Sequence, residues 1–252
     1  MKVTIVGNSG SYPGPGSAAS CYLVSASAAG REYHLLLDLG NGALGALHRH
    51  LDPALVDGVL ISHLHADHCM DLCGYYVLRK YHPDGAMPQI PVWGPKGTAR
   101  RLARAYGLAK DPGMGEEFDF RRYPDASFQL GPFTITARRV THPVRAYSLR
   151  IEANGRVLAY SGDTGVCQSL VENSRAADLF LCEASFLESI DNPPDLHLTG
   201  AEAAQMASQA GVERLLLTHI PPWHDSSLVL AEARAAYSGT VSLAEVGRTY
   251  EV

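Results

Sequence analysis

The sequence contains no C-x-x-C pair, no glycine-rich loop ending in Gly-Lys-Ser/Thr, no Ser/Gly-rich linker and no run of like charge. It also has no apolar stretch approaching the ~20 residues that span a bilayer. Each absence closes off a class. The five cysteines, Cys21, Cys69, Cys73, Cys167 and Cys182, are odd in number and scattered, which argues against a disulfide framework or a cysteine zinc site. Cys69 and Cys73 read as small apolar residues on the inner face of a helix. The segment Met1 to Gly7 has one cation and too short an apolar stretch before Asn8 and Ser9 for a secretory signal, so a cytoplasmic location and no membrane partner are expected. The net charge of −5 argues against a basic nucleic-acid binder, and the pairs Arg100/Arg101, Arg121/Arg122 and Arg138/Arg139 read as solvated edges.

What the chain does hold is apolar bulk and histidine. With 252 residues and 46% hydrophobic content it can bury a sizeable core. Apolar runs that fit strands alternate with helical patterns. Strands are expected at Lys2 to Gly7, Ser20 to Ser25, Tyr33 to Asp38, Gly58 to Ile61 and Ile90 to Trp93, with helices near Ala43 to His50, Asp67 to Lys80 and Pro95 to Tyr106. Phe118 to Val140 is β-like and broken at Pro124 and Gly131-Pro132. The second half repeats the rhythm. A hairpin is expected around Asn154-Gly155, strands at Leu179 to Cys182 and Arg214 to Leu217, a helix from Thr199 to Ala210 capped by Thr199, and a last helix capped by Ser226 or Ser227. The expected fold is α/β, with sheets covered by helices in a single domain spanning 1–252. The turn-rich stretch Gly7 to Gly16 lacks the residues of a phosphate-cradling loop and reads as either a connection or a substrate contact.

The organising motif is Ile61-Ser62-His63-Leu64-His65-Ala66-Asp67-His68, an H-x-H-x-D-H directly after the apolar run that ends at Ile61. Neutral imidazole and carboxylate are the side chains that hold zinc and its neighbours, and a strand-to-helix turn can aim several of them at one point. Three further strand ends each offer one such side chain: His142 in Val-Thr-His-Pro, Asp163 in Ser-Gly-Asp-Thr and His219 in Leu-Thr-His. Carboxyl ends of strands are where open α/β sheets place their sites. Five histidines and two aspartates suffice for two metal ions if one carboxylate bridges.

The order of these motifs resembles the metallo-β-lactamase fold superfamily, over nearly the whole chain. The resemblance implies a four-layer αββα sandwich, in which His63, His65 and His142 hold one ion, Asp67, His68 and His219 hold the other, and Asp163 bridges. The dinuclear β-lactamases commonly place Cys where this chain has Asp163, and glyoxalase II relatives carry a helical domain where only 33 residues follow His219. The succession Glu183-Ala-Ser-Phe, His197-Leu-Thr and Val212-Glu-Arg-Leu-Leu-Leu-Thr-His219 is similar to that of the ribonuclease Z branch and its phosphodiesterase relatives.

That branch implies His197 as a catalytic residue assisting phosphoester cleavage, Glu183 as its orienter, and Asp67 as both ligand and aimer of the nucleophile. Ribonuclease Z grips tRNA with a long arm between the lone His and the bridging Asp; here only 20 residues separate His142 from Asp163. Nucleic acid is therefore not the expected partner, and Gly7 to Ser20 also looks like actinobacterial cyclic nucleotide phosphodiesterases. The expectation is a hydrolase of a small phosphodiester, a 3′,5′-cyclic nucleotide converted to the 5′-monophosphate, with two divalent ions, zinc or else manganese or iron. A homodimer is common in the resembling group. Arg145 and His224 are candidate substrate contacts, with exposed loop positions as their alternative. Ribonuclease Z-type tRNA processing, a lactonase or ester hydrolase, and a metal-bound scaffold are the competing readings.

Overall fold

The computed structural model describes residues 1–252. The first half forms β1 (Lys2–Ser9), β2 (Ala18–Ala19), β3 (Cys21–Ala28), β4 (Arg31–Leu37), β5 (Gly58–Leu60), β6 (Ile90–Gly94) and β7 (Phe118–Arg122). The second half forms β8 (Phe128–Leu130), β9 (Phe133–Arg139), β10 (Tyr147–Ala153), β11 (Arg156–Tyr160), β12 (Leu179–Glu183), β13 (Arg214–Thr218) and β14 (Thr240–Leu243), and β15 (Thr249–Glu251) returns to the edge of the first sheet. One sheet runs β15-β1-β3-β4-β5-β6-β7, with β2 beside β1, and the other runs β14-β13-β12-β11-β10-β9-β8.

In each sheet an antiparallel part joins a parallel part, β4 to β7 in the first and β11 to β14 in the second. Parallel neighbours require crossovers. Helices supply most of them: α1 (Ala43–Leu47), α2 (Ala66–Cys69), α3 (Leu72–Lys80) and α4 (Thr98–Tyr106) on the first sheet, then α5 (Gln168–Ser174), α6 (Gly200–Ala210) and α7 (Ser226–Ala236) on the second.

The inner strands of the parallel parts are apolar on both faces, and side chains alternate between two cores. Leu35 and Leu37 of β4 and Leu179 and Leu181 of β12 point between the sheets, where they meet Phe133, Ile135, Leu149 and Leu158. Leu36 of β4 packs outward under the first set of helices. Phe180 and Cys182 of β12 do the same under the second set. Three cores separate four layers, an αββα sandwich as the sequence resemblance implied.

Several local expectations need correction. The helix expected from Asp67 to Lys80 is two helices, because the Leu39 backbone takes a hydrogen bond from Asp71 N and donates to His68 O, interrupting the ladder. Cys69 and Cys73 therefore lie on different helices, the first buried and the second half-buried. The last helix is capped by Asp225, whose side chain accepts from Ser227 N, rather than by either serine. Thr199 caps α6 as expected, in a reciprocal box with Glu202. β14, β15 and α5 carried too little periodicity to be expected from sequence.

The Leu39 crossing fixes the metal-type loop to the sheet, and it needs a residue without a side chain beside it. A Cβ on Gly40 would stand 1.9 Å from the Asp67 carbonyl oxygen. Gly40→Ala is expected to cost about 1–3 kcal/mol by overpacking, read as a lower urea midpoint, and to reduce bound metal because the backbone that must move carries Asp67.

Candidate metal centre

The seven residues singled out in the sequence converge at the carboxyl ends of β5, β11 and β13 and the segment after β9. Two groups of four have their donor atoms within 4.8 Å of one another: His63, His65, His142 and Asp163 in one, Asp67, His68, Asp163 and His219 in the other. In the first group His65 Nδ1 lies 3.0 Å from His63 Nε2 and 3.2 Å from His142 Nε2. Asp163 reaches both groups, with Oδ2 3.5 Å from His63 Nε2 and 3.3 Å from His219 Nε2, and Oδ1 3.1 Å from His68 Nε2. Asp67 Oδ2 is 3.5 Å from His68 Nε2 and 3.7 Å from His219 Nε2.

These spacings fit a divalent ion. Ligand bonds of about 2.1 Å in a tetrahedral arrangement put donor atoms about 3.4 Å apart. Moreover, His68 Nε2, His219 Nε2 and Asp163 Oδ1 are buried without hydrogen-bond partners, a costly condition unless a cation satisfies them. No lysine or arginine enters the cluster, although Asp38, Asp67 and Asp163 are all buried in or beneath it. The cluster has the make-up of a divalent metal site.

The imidazoles are oriented from behind. Asp38, at the end of β4, accepts from Ser62 N and Ser62 Oγ at 2.7 Å, from His68 Nδ1 at 2.7 Å and from Tyr160 Oη at 2.7 Å. The Ser62 hydroxyl, donating to Asp38, is left to accept from His63 Nδ1 at 3.1 Å. Leu196 O takes the His142 Nδ1 proton at 2.9 Å, and Ser20 Oγ pairs with His219 Nδ1 at 2.8 Å. In these four rings the Nδ1 side is committed and the Nε2 lone pair is turned inward; His65 presents Nδ1 instead. This is how outer hydrogen bonds fix the tautomer of a metal-binding histidine.

Burial pushes His63, His65 and His142 below the ordinary imidazole range, which keeps them neutral, with a ring nitrogen lone pair free for a cation. Burial would raise Asp163, but His219, His68 and His63 outweigh it and hold the carboxyl well below its usual range. Burial also disfavours charge on His68, yet Asp163 and Asp38 draw a proton to it. The second group thus attracts positive charge.

Two of the seven non-glycine residues with left-handed backbone lie at the same place. Asp38 and His219 adopt φ of 58° and 56°, the left-handed region that costs a non-glycine residue about 1–2 kcal/mol. Gly10 presses against the His219 turn, where a Cβ would meet the His219 carbonyl oxygen at 2.3 Å. The Gly7 to Gly16 stretch accordingly braces His219, through Gly10 N to Ile220 O at 3.2 Å.

His197 and Glu183 stand beside the cluster. His197 Nδ1 is 2.9 Å from Glu183 Oε1 and 4.0 Å from Asp163 Oδ2. Glu183 is fully buried and also accepts from Thr164 N, Ser185 N and Ser185 Oγ. Burial disfavours charge on His197, but the Glu183 carboxylate outweighs it and raises the imidazole to about 9. A cavity of about 340 Å³ opens against His197 and Phe186.

Arg145 is exposed in the loop after His142 and makes no ion pair. His224 lies outside both donor groups. It accepts from Trp223 Nε1 at 3.1 Å and lines a separate cavity of about 280 Å³ with Asn8 and Ser17. Trp223 packs on Tyr12, ring centroids 5.5 Å apart.

Asp38, Ser20, Ser62 and Tyr160 were not singled out by sequence reasoning. The only signal for Asp38 was an acidic residue closing an apolar strand before Leu39-Gly40. Asp38→Asn is expected to lower metal affinity roughly 10–100-fold, measured by titration with a chelating competitor, and to lower the urea midpoint as well, because an amide nitrogen cannot accept from the buried donors that surround it.

The family description "Beta-lactamase superfamily domain" matches residues 33–220. The uncharacterized protein Rv1339 of Mycobacterium tuberculosis is 47% identical, with 100% of this chain and 92% of that protein covered. A ribonuclease Z of Myxococcus xanthus is 29% identical, over 86% of this chain and 88% of that enzyme. The crystal structure of the metallo-beta-lactamase fold protein YhfI of Bacillus subtilis superposes with a TM-score of 0.87 at 29% identity, covering 99% of each chain. With its paired His/Asp groups at the strand ends of an αββα sandwich, the chain belongs to the beta-lactamase superfamily and is a metal-dependent hydrolase of the ribonuclease Z-like kind.

Proposed function

We propose that the protein is a phosphodiesterase that hydrolyses a small phosphodiester, a 3′,5′-cyclic nucleotide, to the 5′-monophosphate. The observation that carries this reading is the Glu183–His197 pair beside Asp163. The alkoxide that leaves a phosphodiester must take up a proton, and this pair supplies a proton donor beside the cluster. The span between His142 and Asp163 is taken up by the β10–β11 hairpin turning at Asn154-Gly155, so the long arm used by ribonuclease Z has no place to emerge there.

His63, His65 and His142 would hold one ion, Asp67, His68 and His219 the other, and Asp163 both. Divalent ions such as zinc, manganese or iron supply Lewis acidity and an activated water there. Asp67 accepts a hydrogen bond from the attacking water and aims it at phosphorus. As the bond from phosphorus to the 3′ oxygen breaks, His197 gives that oxygen a proton. Its Nδ1 is committed to Glu183, so Nε2 is the donor, and Glu183 fixes the ring and stabilises its charge. Water then restores the proton to His197 when the 5′-monophosphate leaves.

The purified protein, loaded with Zn²⁺ or Mn²⁺, is expected to hydrolyse 3′,5′-cyclic AMP and bis-p-nitrophenyl phosphate. Metal-loaded protein inert toward both, or active only on lactones, would overturn the reading. Cleavage of a 3′-extended pre-tRNA with no action on cyclic nucleotides would select the processing nuclease instead. His197→Ala is expected to lower kcat by about 10²–10⁴ with bound metal unchanged; a loss of metal content would contradict its role as proton donor.

A further inference from the structure

Two arginine pairs that read as solvated edges in the sequence turn out to share a surface. β5 and β6 are parallel neighbours, with Leu60 beside Trp93. Parallel strands lie about 5 Å apart, so the loops that follow them leave the sheet edge side by side. The loop after β5 carries Leu64 between His63 and His65, and the loop after β6 carries Lys96 and Gly97 into α4.

Between them lies a groove of about 470 Å³ lined by Leu64, Lys96, Gly97, Arg100, Arg101, Arg104 and Ala105. All four cations are exposed. Lys80 and Arg121 spend their charge on Glu116, Glu117 and Asp119, but none of these four makes an ion pair. Gly97, with φ of 105°, offers no side chain to cap α4, so the positive end of the helix adds to the same field. Around the helix a second cleft, of about 270 Å³, continues the basic surface through Lys110, Arg121 and Arg122.

Four unpaired cations crowded on one face of a chain of net charge −5 repel one another and are stabilised by an anion. The other rim of the centre has the opposite character: the cavity against His197 is lined by Glu188, Asp195 and Glu202. A cyclic mononucleotide has one phosphate, which the metal cluster takes, and nothing for the groove.

We propose that the groove between Leu64 and α4 is a second phosphate subsite, and that it extends the substrate class of the adjoining centre to short linear oligonucleotides. The scissile phosphate occupies the His/Asp cluster and the next phosphate of the strand lies among Lys96, Arg100, Arg101 and Arg104. This rests on the phosphodiesterase reading above. Water adds to phosphorus, the 3′ oxygen leaves with a proton from His197, and the strand held in the groove departs with a 5′-phosphate, so no co-reactant other than water is needed.

The test uses a fluorescein-labelled hexaribonucleotide, with binding read by anisotropy at several salt concentrations and turnover by product analysis, on the metal-loaded protein. Arg100→Ala with Arg104→Ala is expected to weaken binding ten-fold or more. It is also expected to reduce the slope of log K against log salt by about 0.7, the loss of one single-strand phosphate contact. The ratio of kcat/KM for the hexanucleotide to that for bis-p-nitrophenyl phosphate should fall ten-fold or more, and Arg100→Lys with Arg104→Lys should restore most of it. Unmoved binding and ratio, or an equal loss on both substrates, would overturn the proposal. So would displacement of the strand by inorganic tripolyphosphate as effective as by unlabelled strand, which assigns the groove to free polyphosphate. If the strand binds as stated but no phosphodiester is hydrolysed, the hydrolase reading fails and the subsite stands; hydrolysis of small diesters with no strand binding leaves that reading intact and removes the subsite.

Discussion

The structure hangs on one buried carboxylate. Asp38 ends β4 in a left-handed conformation and gathers four donors: the Ser62 amide and hydroxyl, the His68 imidazole and the Tyr160 phenol. An ionised carboxylate out of water is stable only when its oxygens are fully engaged. Here that engagement ties the ends of β4 and β5 in one sheet to β11 in the other. The same interaction turns His68 and, through Ser62, His63 toward the cluster. Packing of the sheets and orientation of the imidazoles are therefore one constraint.

Above the apolar layer between the sheets sits a thin polar floor. Tyr160 and Tyr22 pack at 5.1 Å, and Tyr22 pairs with Thr218 across the sandwich at 2.8 Å. Below it the core is apolar; above it the ends of β5, β11 and β13 and the segment after β9 contribute the donor atoms. The arrangement concentrates unsatisfied nitrogen and oxygen at one point, which apolar packing cannot cancel and a divalent cation can. Strain at Asp38 and His219 is borne by the hydrogen bonds and the close glycine approaches around them.

The flanks of the centre divide the remaining chemistry. On one side Glu183 anchors His197, and carboxylates line the cavity beyond. On the other, α4 presents unpaired cations next to Leu64. Opposite charge on the two rims gives a phosphate-bearing molecule a preferred direction across the centre, since anionic groups are attracted to one rim and repelled from the other.

The local sequence carried much of this. Apolar alternation marked β1, β3 to β6 and β10 to β13 within a few residues, the Asn154-Gly155 turn marked its hairpin, and H-x-H-x-D-H with His142, Asp163 and His219 marked the donors, because each strand end announces itself by an apolar run stopping at a polar residue. β14, β15 and α5 were illegible, being short and held by tertiary contact rather than by their own pattern. The residues that steer the imidazoles were also illegible. Ser20, Asp38, Ser62 and Tyr160 are ordinary in sequence and acquire their role only when two sheets bring them within hydrogen-bond reach. The sequence by itself determined which side chains could hold a cation, since imidazole and carboxylate do so wherever they meet. Only the tertiary structure decided which nitrogen each ring presents, that Glu183 stands behind His197, and that two scattered arginine pairs share one surface, because tautomer, orientation and summed charge depend on neighbours far away along the chain.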